Sequence, residues 1–80
     1  MRLPRDVSGQ NLAHALGKLG YEISRQTGSH LRLTTGLHGQ HHVTIPSHKV
    51  LRAGTLASIL ADVARHFGMR RDELLKRLFG

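Results

Sequence analysis

The 80-residue chain has no cysteine and no tryptophan, and only Tyr21, Phe67 and Phe79 are aromatic. Without cysteine there can be no disulfide, no thiolate metal site and no cysteine nucleophile. RNA-recognition-motif and cold-shock domains bind bases on exposed aromatic residues of a sheet, and this chain has too few aromatics for such a surface. These absences exclude thiol chemistry and argue against base stacking as the main mode of binding.

Long hydrophobic runs are also absent. No segment approaches the ~20 apolar residues that cross a membrane, and the start "MRLPRDVSGQ" has no apolar core of a signal peptide. We therefore expect a soluble, cytoplasmic protein. The length suffices for one domain with a modest core, and we expect a single domain over residues 1–80.

Negative charge is scarce. Five Asp and Glu residues stand against twelve Lys and Arg residues, which gives a formal net charge of +7 and a pI near 11.5. Such an imbalance favours acidic or polyanionic partners because it raises their local concentration and their association rate. Nucleic-acid binding is the leading interpretation, and a solvated basic surface without a particular partner is the alternative.

Three segments have the apolar spacing of amphipathic helices. The first begins after Ser8, an N-cap residue, and stops at Gly20. The second runs from Thr55 to Phe67, and the third covers "RRDELLKRLF". Their apolar stripes consist of Leu12, Ala15, Leu16 and Leu19; of Leu56, Ile59, Leu60, Val63 and Phe67; and of Leu74, Leu75 and Leu78.

Three short runs between the first two helices are typical of β-strands: Tyr21–Gln26, His30–Thr35 and His41–Ile45. The segments "TGS" and "GLHGQ" between them have the composition of turns. The element order is therefore α-β-β-β-α-α. It predicts an α+β fold in which a three-stranded antiparallel sheet carries helices on one face.

Side-chain alternation predicts the register of this sheet, because residues paired across strands share a face. The apolar positions require Leu33 to lie opposite both Ile23 and Val43, with all three facing the helices. The first pairing then places Gln26 opposite His30, with a three-residue loop of Thr27, Gly28 and Ser29. A two-residue Gly-Ser turn is rejected, since it would place Leu31 opposite Gln26 and mix the two faces.

The second pairing places Arg32 opposite Thr44 and carries Pro46 alongside His30. The predicted solvent face of the sheet then consists of Glu22, Ser24, Gln26, His30, Arg32, Thr34, His42 and Thr44.

The motif "GSH" lies where the first hairpin loop meets the second strand. Gly28 can take a positive φ or let a phosphate approach the backbone, and Ser29 offers a hydroxyl and an N–H group. A neutral His30 imidazole can take a proton from a ribose 2′-hydroxyl, and its protonated form can serve a leaving oxygen. From these residues alone, a turn glycine followed by a surface histidine explains the motif more simply.

A family resemblance changes this balance. The segments "VSGQNLAHALGKLGYEISRQTGSHLRL" and "VTIPSHKVLRAGTLASIL" resemble the HicA (YcfA-like) family of toxin–antitoxin mRNA interferases, over about Ser8 to Leu75. The shared pieces occur in the family's order: a helix ending "LGY", the "RQ-x-GSH" hairpin, "IP-x-H" and "GTL-x-x-IL". The resemblance implies a double-stranded-RNA-binding-domain-like fold, cleavage of mRNA, neutralisation by a HicB partner, and a catalytic histidine at His30.

Two positions depart from the family pattern. Arg70 stands where the third helix usually has a Ser or Thr cap, and Leu31 follows the motif histidine where another His or a polar residue is common. The second departure agrees with the register above, which buries Leu31.

Further residues are candidates for the same site. His48 in "IPSHK" could be a second acid/base or phosphate-binding group, although a loop histidine that helps the chain turn is the simpler interpretation. The RNA-binding candidates near His30 are Arg25, Gly28, Ser29, Arg32, Lys49 and Arg52. The C-terminal cations Arg65, Arg70, Arg71, Lys76 and Arg77 are either a solvated face or a second RNA contact.

The segment "HGQHH" places His38, His41 and His42 close together, as in some weak metal sites. Strand alternation sends His41 and His42 to opposite faces, so we predict no metal site there. We expect His14 and His66 to be helix-surface groups, and they support no functional inference.

These observations lead to the hypothesis of a metal-independent endoribonuclease without a cofactor. Arg32 and the Gly28–Ser29 backbone would hold a phosphate while His30 moves the proton as the 2′-hydroxyl attacks, and a HicB-like antitoxin would cover this face. The alternatives are a non-catalytic double-stranded-RNA-binding module and a protein-interaction domain whose basic face binds an acidic partner.

Overall fold

The computed structural model describes residues 3–80 and has the predicted α+β architecture with the order α-β-β-β-α-α. No helix within those residues has both the length and the apolar character to cross a membrane. The elements are α1 (Gly9–Leu16), followed directly by a 3-10 turn (Gly17–Leu19), then β1 (Glu22–Gln26), β2 (His30–Thr35), β3 (His41–Pro46), α2 (Ala53–Phe67) and α3 (Arg71–Phe79).

Helix α1 begins and ends where the sequence predicts. The Asn11 N–H donates to Ser8 Oγ at 2.9 Å, and the Ser8 N–H donates to Asn11 Oδ1 at 3.4 Å, which together form a capping box. At the other end the chain tightens into the 3-10 turn and stops at Gly20, whose φ of 81° suits glycine.

Helix α3 begins without the usual Ser or Thr cap. Here Glu73, at the third helical position, accepts a hydrogen bond at 3.2 Å from the backbone N–H of Arg70. The Glu73 side chain thus satisfies a backbone donor at the start of the helix, so the departure at Arg70 does not prevent helix formation.

The sheet has the strand order β1-β2-β3, with both pairs antiparallel and β2 in the centre. The predicted β2–β3 register is confirmed. Leu33 lies opposite Val43, Arg32 opposite Thr44, and Pro46 opposite His30.

The first hairpin corrects the prediction. Ile23 lies opposite Leu33 as expected, but Gln26 lies opposite Leu31 and not opposite His30. The Thr27 N–H donates to the His30 carbonyl at 2.9 Å, so only two residues form the turn. This is the Gly-Ser turn that the sequence argument rejects. Both pairings coexist because the register shifts between Ile23 and Arg25, where a bulge inserts one extra residue into β1.

The bulge also changes which side chains share a face. Arg25 now lies opposite Arg32 on the solvent face, whereas Gln26 pairs with the buried Leu31 and does not belong to that face. Ile23 was predicted to face the core but is 47% exposed. It lies on β1, one of the two edge strands, all five residues of which are exposed, so the helices do not cover it.

One core joins the inner face of the sheet to all three helices. The polar Thr35 is buried with it, and its hydroxyl donates to the carbonyl of Leu19 at 2.9 Å. Leu31 is fully buried, as predicted. The largest fully buried apolar side chains are those of Leu12, Leu16, Leu19, Leu31, Leu33, Ile45, Leu60, Val63, Leu74, Leu75 and Leu78. The opposite face of β2 and β3 is therefore left to solvent.

Candidate active site

His30 is the first residue of β2 and is exposed. Its neighbour Leu31 has no exposed surface, so strand alternation directs the His30 side chain away from the core. The backbone is held locally, because the His30 N–H donates to Thr27 Oγ1 at 3.2 Å and the His30 carbonyl accepts from the Thr27 N–H. The histidine thus has a fixed backbone and a solvent-facing ring.

The ring of His30 is oriented by the preceding serine. Ser29 Oγ lies 2.9 Å from His30 Nδ1, and Nε2 has no hydrogen-bond partner among residues 3–80. When Ser29 Oγ accepts from Nδ1–H, the lone pair of Nε2 faces solvent and can take a proton. That bond persists after protonation, since Nδ1 carries hydrogen in both states. The pair can therefore cycle a proton at Nε2 without reorienting the ring.

The turn before His30 is tied to the end of β3. The Ser47 N–H donates to the carbonyl of Ser29 at 2.8 Å. Gly28 lies on the open side of the turn, where an added Cβ would have no atom within 4 Å. The N–H groups of Gly28 and Ser29 donate to no group among residues 3–80. They are therefore available to a ligand that approaches the turn.

Two arginines flank this turn on the solvent face. Arg25 lies directly opposite Arg32 across the hairpin, and Arg32 is two residues along β2 from His30, a spacing of roughly 7 Å. Both are exposed. Neither forms an ion pair with a carboxylate of residues 3–80, so their charge is not neutralised within the described chain.

The other predicted candidates lie on the segment that follows β3. His48, Lys49 and Arg52 are exposed there, and the His48 carbonyl accepts from the Gly9 N–H at 3.0 Å. Within the described chain no hydrogen bond joins the His48 ring to His30. The segment leaves the sheet at Pro46, the strand partner of His30. The structure thus assembles Arg25, Gly28, Ser29, His30 and Arg32 around one turn, with the remaining three on the adjoining loop.

A surface depression of about 480 Å³ adjoins His30. The sheet contributes His30, Thr44 and Pro46 to its walls, and the first turns of α2 contribute Gly54, Thr55 and Ser58. The depression has room for a nucleotide whose phosphate lies near His30.

A second polar cluster, which the sequence argument did not predict, joins the sheet to α2. Tyr21 Oη lies 2.7 Å from His41 Nδ1, and His41 Nε2 lies 3.3 Å from Asp62 Oδ1. Because the carboxylate only accepts, His41 carries its hydrogen on Nε2 and Nδ1 accepts from the tyrosine hydroxyl. Burial, together with the nearby negative charge of Asp62, raises the pKa of Tyr21 to about 12.

His66 belongs to this cluster, which corrects its interpretation as a simple helix-surface group. Its ring stacks on that of His41 with centroids 4.4 Å apart, and its Nε2–H donates to the carbonyl of Leu37 at 2.9 Å. The spacing of these residues in the sequence does not predict the cluster, because only tertiary packing brings them together. The sequence shows only that the chain contains histidines, a tyrosine and a rare carboxylate that could interact.

The three histidines of "HGQHH" have different environments. His42 Nδ1 lies 2.7 Å from Thr34 Oγ1 on the solvent face, while His41 lies on the opposite face beside Tyr21. The His38 ring instead packs edge-on against Phe67 at 5.2 Å. Within residues 3–80 no three His, Cys, Asp or Glu side chains are grouped so as to hold a metal ion.

Comparison with known proteins agrees with this geometry. The family model described as the HicA toxin of bacterial toxin–antitoxin systems matches residues 9–64, which is more than half of the chain. The matched range contains the capped helix α1, the whole sheet and most of α2. No curated protein and no solved structure matches the chain significantly. Because the family model covers the turn, the whole sheet, α1 and most of α2, this chain belongs to the HicA toxin family.

Proposed function

We propose that this toxin is a metal-independent endoribonuclease that cleaves mRNA with His30 as its acid/base group, and that a HicB-like antitoxin neutralises it. One observation carries the proposal. The exposed His30 imidazole is held at Nδ1 by Ser29, while its Nε2 has no hydrogen-bond partner among residues 3–80. The ring lies beside the Arg25–Arg32 pair, whose charge no acidic residue of the same range neutralises.

The chemistry that this arrangement supports is an internal attack by ribose. The 2′-oxygen bonds to the adjacent phosphorus while its proton passes to His30 Nε2, and the bond from phosphorus to the 5′-oxygen breaks. The products are a 2′,3′-cyclic phosphate and a 5′-hydroxyl. The leaving oxygen takes a proton from a second donor, for which the exposed His48 on the loop after Pro46 is the candidate.

Phosphate binding is assigned to groups around the turn. The free N–H groups of Gly28 and Ser29 can donate to a phosphate oxygen, and the guanidinium of Arg32 can bind it with two parallel hydrogen bonds. Arg25 adds charge from the neighbouring strand. The further cations of this surface, which bind flanking phosphates, are Lys49 and Arg52.

The proposal needs no divalent ion. In the mechanism above, proton transfer lies with an imidazole and charge stabilisation with arginines and backbone amides. Carboxylates of the kind that bind Mg²⁺ do not line the depression beside His30. We therefore expect cleavage to proceed in the presence of a chelator.

The test compares purified wild-type protein with His30→Ala on a defined RNA. Loss of a positioned acid/base group costs about 10²–10⁴ in rate, so we expect cleavage to fall by that factor while RNA affinity and the melting temperature change little. His14→Ala is the matched control, since His14 is an exposed histidine on α1 that lines a different surface depression. Equal cleavage by His30→Ala and wild type would remove His30 from the mechanism.

The same experiment distinguishes the alternative of a non-catalytic double-stranded-RNA-binding module. Such a module would bind duplex RNA with a strong salt dependence and leave it intact.

The antitoxin is expected to cover the solvent face around His30 and to present carboxylates to Arg25 and Arg32. Expression of wild type without it should arrest growth, and expression of His30→Ala should not.

A further inference from the structure

The depression beside His30 continues along the sheet as a groove between β3 and α2. A second depression of about 410 Å³ shares Thr44 and Ser58 with the first and reaches Asp62 and Arg65 on α2. From Gly54 to Asp62 the helix rises about 12 Å. This is the span of about three stacked nucleotides at ~3.4 Å each. The β3–α2 groove, defined by these two depressions, can therefore hold nucleotides next to the bond that His30 would cleave.

Asp62 is unusual in this groove. It is the one acidic residue among those that line the two depressions. A carboxylate close to the path of a polyanion is unfavourable unless it makes a compensating contact. Part of its role is structural, because Oδ1 accepts from His41 Nε2–H at 3.3 Å and lies 3.7 Å from the Arg65 guanidinium. Neither contact involves Oδ2, and the side chain is 45% exposed.

The Asp62 carboxylate is held in position by His41, which is itself held by Tyr21 and His66. His41 cannot turn freely, because its Nδ1 accepts from the Tyr21 hydroxyl at 2.7 Å and its ring stacks on His66. The His41 Nε2–H therefore holds Oδ1 in place and leaves Oδ2 available at the groove. Arg65, three residues along the same helix and 75% exposed, offers a cation for the phosphate of a nucleotide bound there.

A free carboxylate oxygen discriminates among bases by its chemistry. It accepts hydrogen bonds and cannot donate them. Adenine, cytosine and guanine each carry an exocyclic amino group, whereas uracil has carbonyl oxygens as its exocyclic groups. The one donor on the uracil edge, N3–H, lies between two carbonyl oxygens that repel an approaching carboxylate. No Phe, Tyr or Trp lines the groove, and its two imidazole rings, those of His30 and His42, can stack on any base, so hydrogen bonding is the means of selection between bases.

We propose that the β3–α2 groove binds a base near the cleaved bond and that Asp62 Oδ2 selects a base with an exocyclic amino group over uracil. This inference rests on the proposed ribonuclease function and adds a specificity-determining residue to it. It assigns Tyr21, His41 and His66 to positioning this carboxylate.

The experiment is digestion of a random RNA pool, followed by sequencing of the new ends. For wild type we expect uridine to be depleted about tenfold at one position within about three nucleotides of the cut, the discrimination typical of one charge-assisted hydrogen bond. Asp62→Asn keeps an acceptor for His41 and replaces Oδ2 with an amino group, which donates to carbonyls. We therefore expect its preference at that position to shift toward uridine, with an unchanged melting temperature.

Asp62→Ala provides a second variant. It removes the acceptor without adding a donor, so the depletion of uridine at that position should disappear even if the protein is less stable. A wild-type profile without bias at these positions, or the same profile in Asp62→Asn as in wild type, would overturn the inference. Failure of the ribonuclease proposal is recognised separately, because wild type would then leave the RNA pool intact and overturn both proposals, whereas cleavage without bias overturns this inference alone.

Discussion

The contact between α1 and the end of β3 makes Gly9 a sensitive position. Gly9 is the first residue of α1, and its N–H donates to the His48 carbonyl at 3.0 Å. A Cβ added here would overlap the carbonyl oxygen of Pro46 and approach Ser47 Cα to 3.3 Å. Gly9→Ala therefore forces two backbones apart, since no flexible side chain can move aside.

The magnitude follows from opposing effects. Alanine gains about 0.5–1 kcal/mol over glycine in a helix. Overpacking against fixed atoms costs about 1–3 kcal/mol, and loss of the Gly9–His48 hydrogen bond costs about 1 kcal/mol. The net expectation is a destabilisation of about 1–3 kcal/mol. In a domain of this size, each kcal/mol lowers the melting temperature by about 4–8 °C.

The assay is thermal unfolding followed by circular dichroism, with Gly17→Ala as the control. Gly17 has φ of −55°, and a Cβ there would meet no atom within 4 Å, so alanine should raise the melting temperature. In Gly9→Ala we also expect slower RNA cleavage well below the melting temperature, because Pro46 pairs with His30. A melting temperature equal to or above that of wild type would refute the reasoning.

Two other predictions concern pH and salt. The protonated form of Tyr21 is favoured in the folded state, which raises its pKa from 10 to about 12, so this contribution to stability is complete below pH 10 and is lost as the pH rises toward 12. Since Tyr21 is the one tyrosine in a chain without tryptophan, alkaline ultraviolet titration measures its ionisation directly, and a midpoint near 10 in the folded protein would contradict the structure. Arg25→Ala should weaken RNA binding and reduce by about one the slope of log affinity against log salt. Filter binding over a salt series measures the slope, and an unchanged slope would exclude a phosphate contact at Arg25.

Much of the fold follows from the sequence because its local signals agree. Ser8 and Gly20 mark the first helical segment, and the second helix ends at Phe67, as the structure confirms. Strands β2 and β3 alternate without interruption between buried and outward-facing residues, so Leu33 and Val43 could be paired from side-chain alternation alone. This reasoning predicts the register correctly wherever both strands of a pair are regular.

The same reasoning fails at β1 because the strand is not regular. Side-chain alternation predicts the register only if the strand pairing is continuous, and the bulge at Ser24 interrupts that pairing. The Ser24 hydroxyl lies within hydrogen-bond distance of the Arg32 carbonyl, at 3.2 Å, and of Thr34 Oγ1, at 2.8 Å, so a side chain supports the irregular backbone. Serine is common in regular strands and turns alike, and no glycine marks the site. The exposure of Ile23 was missed for a different reason, since alternation does not reveal which strand lies at the edge.

The bulge in β1, which makes the predicted register wrong, affects the candidate site. A regular hairpin would put Gln26 on the solvent face next to His30, whereas the bulge puts Arg25 there, opposite Arg32. Two like charges directly opposite each other across strands oppose folding, and no carboxylate of the described chain pairs with either. A bound phosphate removes that repulsion, so the arrangement that is least favourable in the free protein is the one that a nucleotide backbone relieves. The departure from regular β-structure thus lies at the turn that we propose binds RNA, as expected of a site kept for function at some cost in stability.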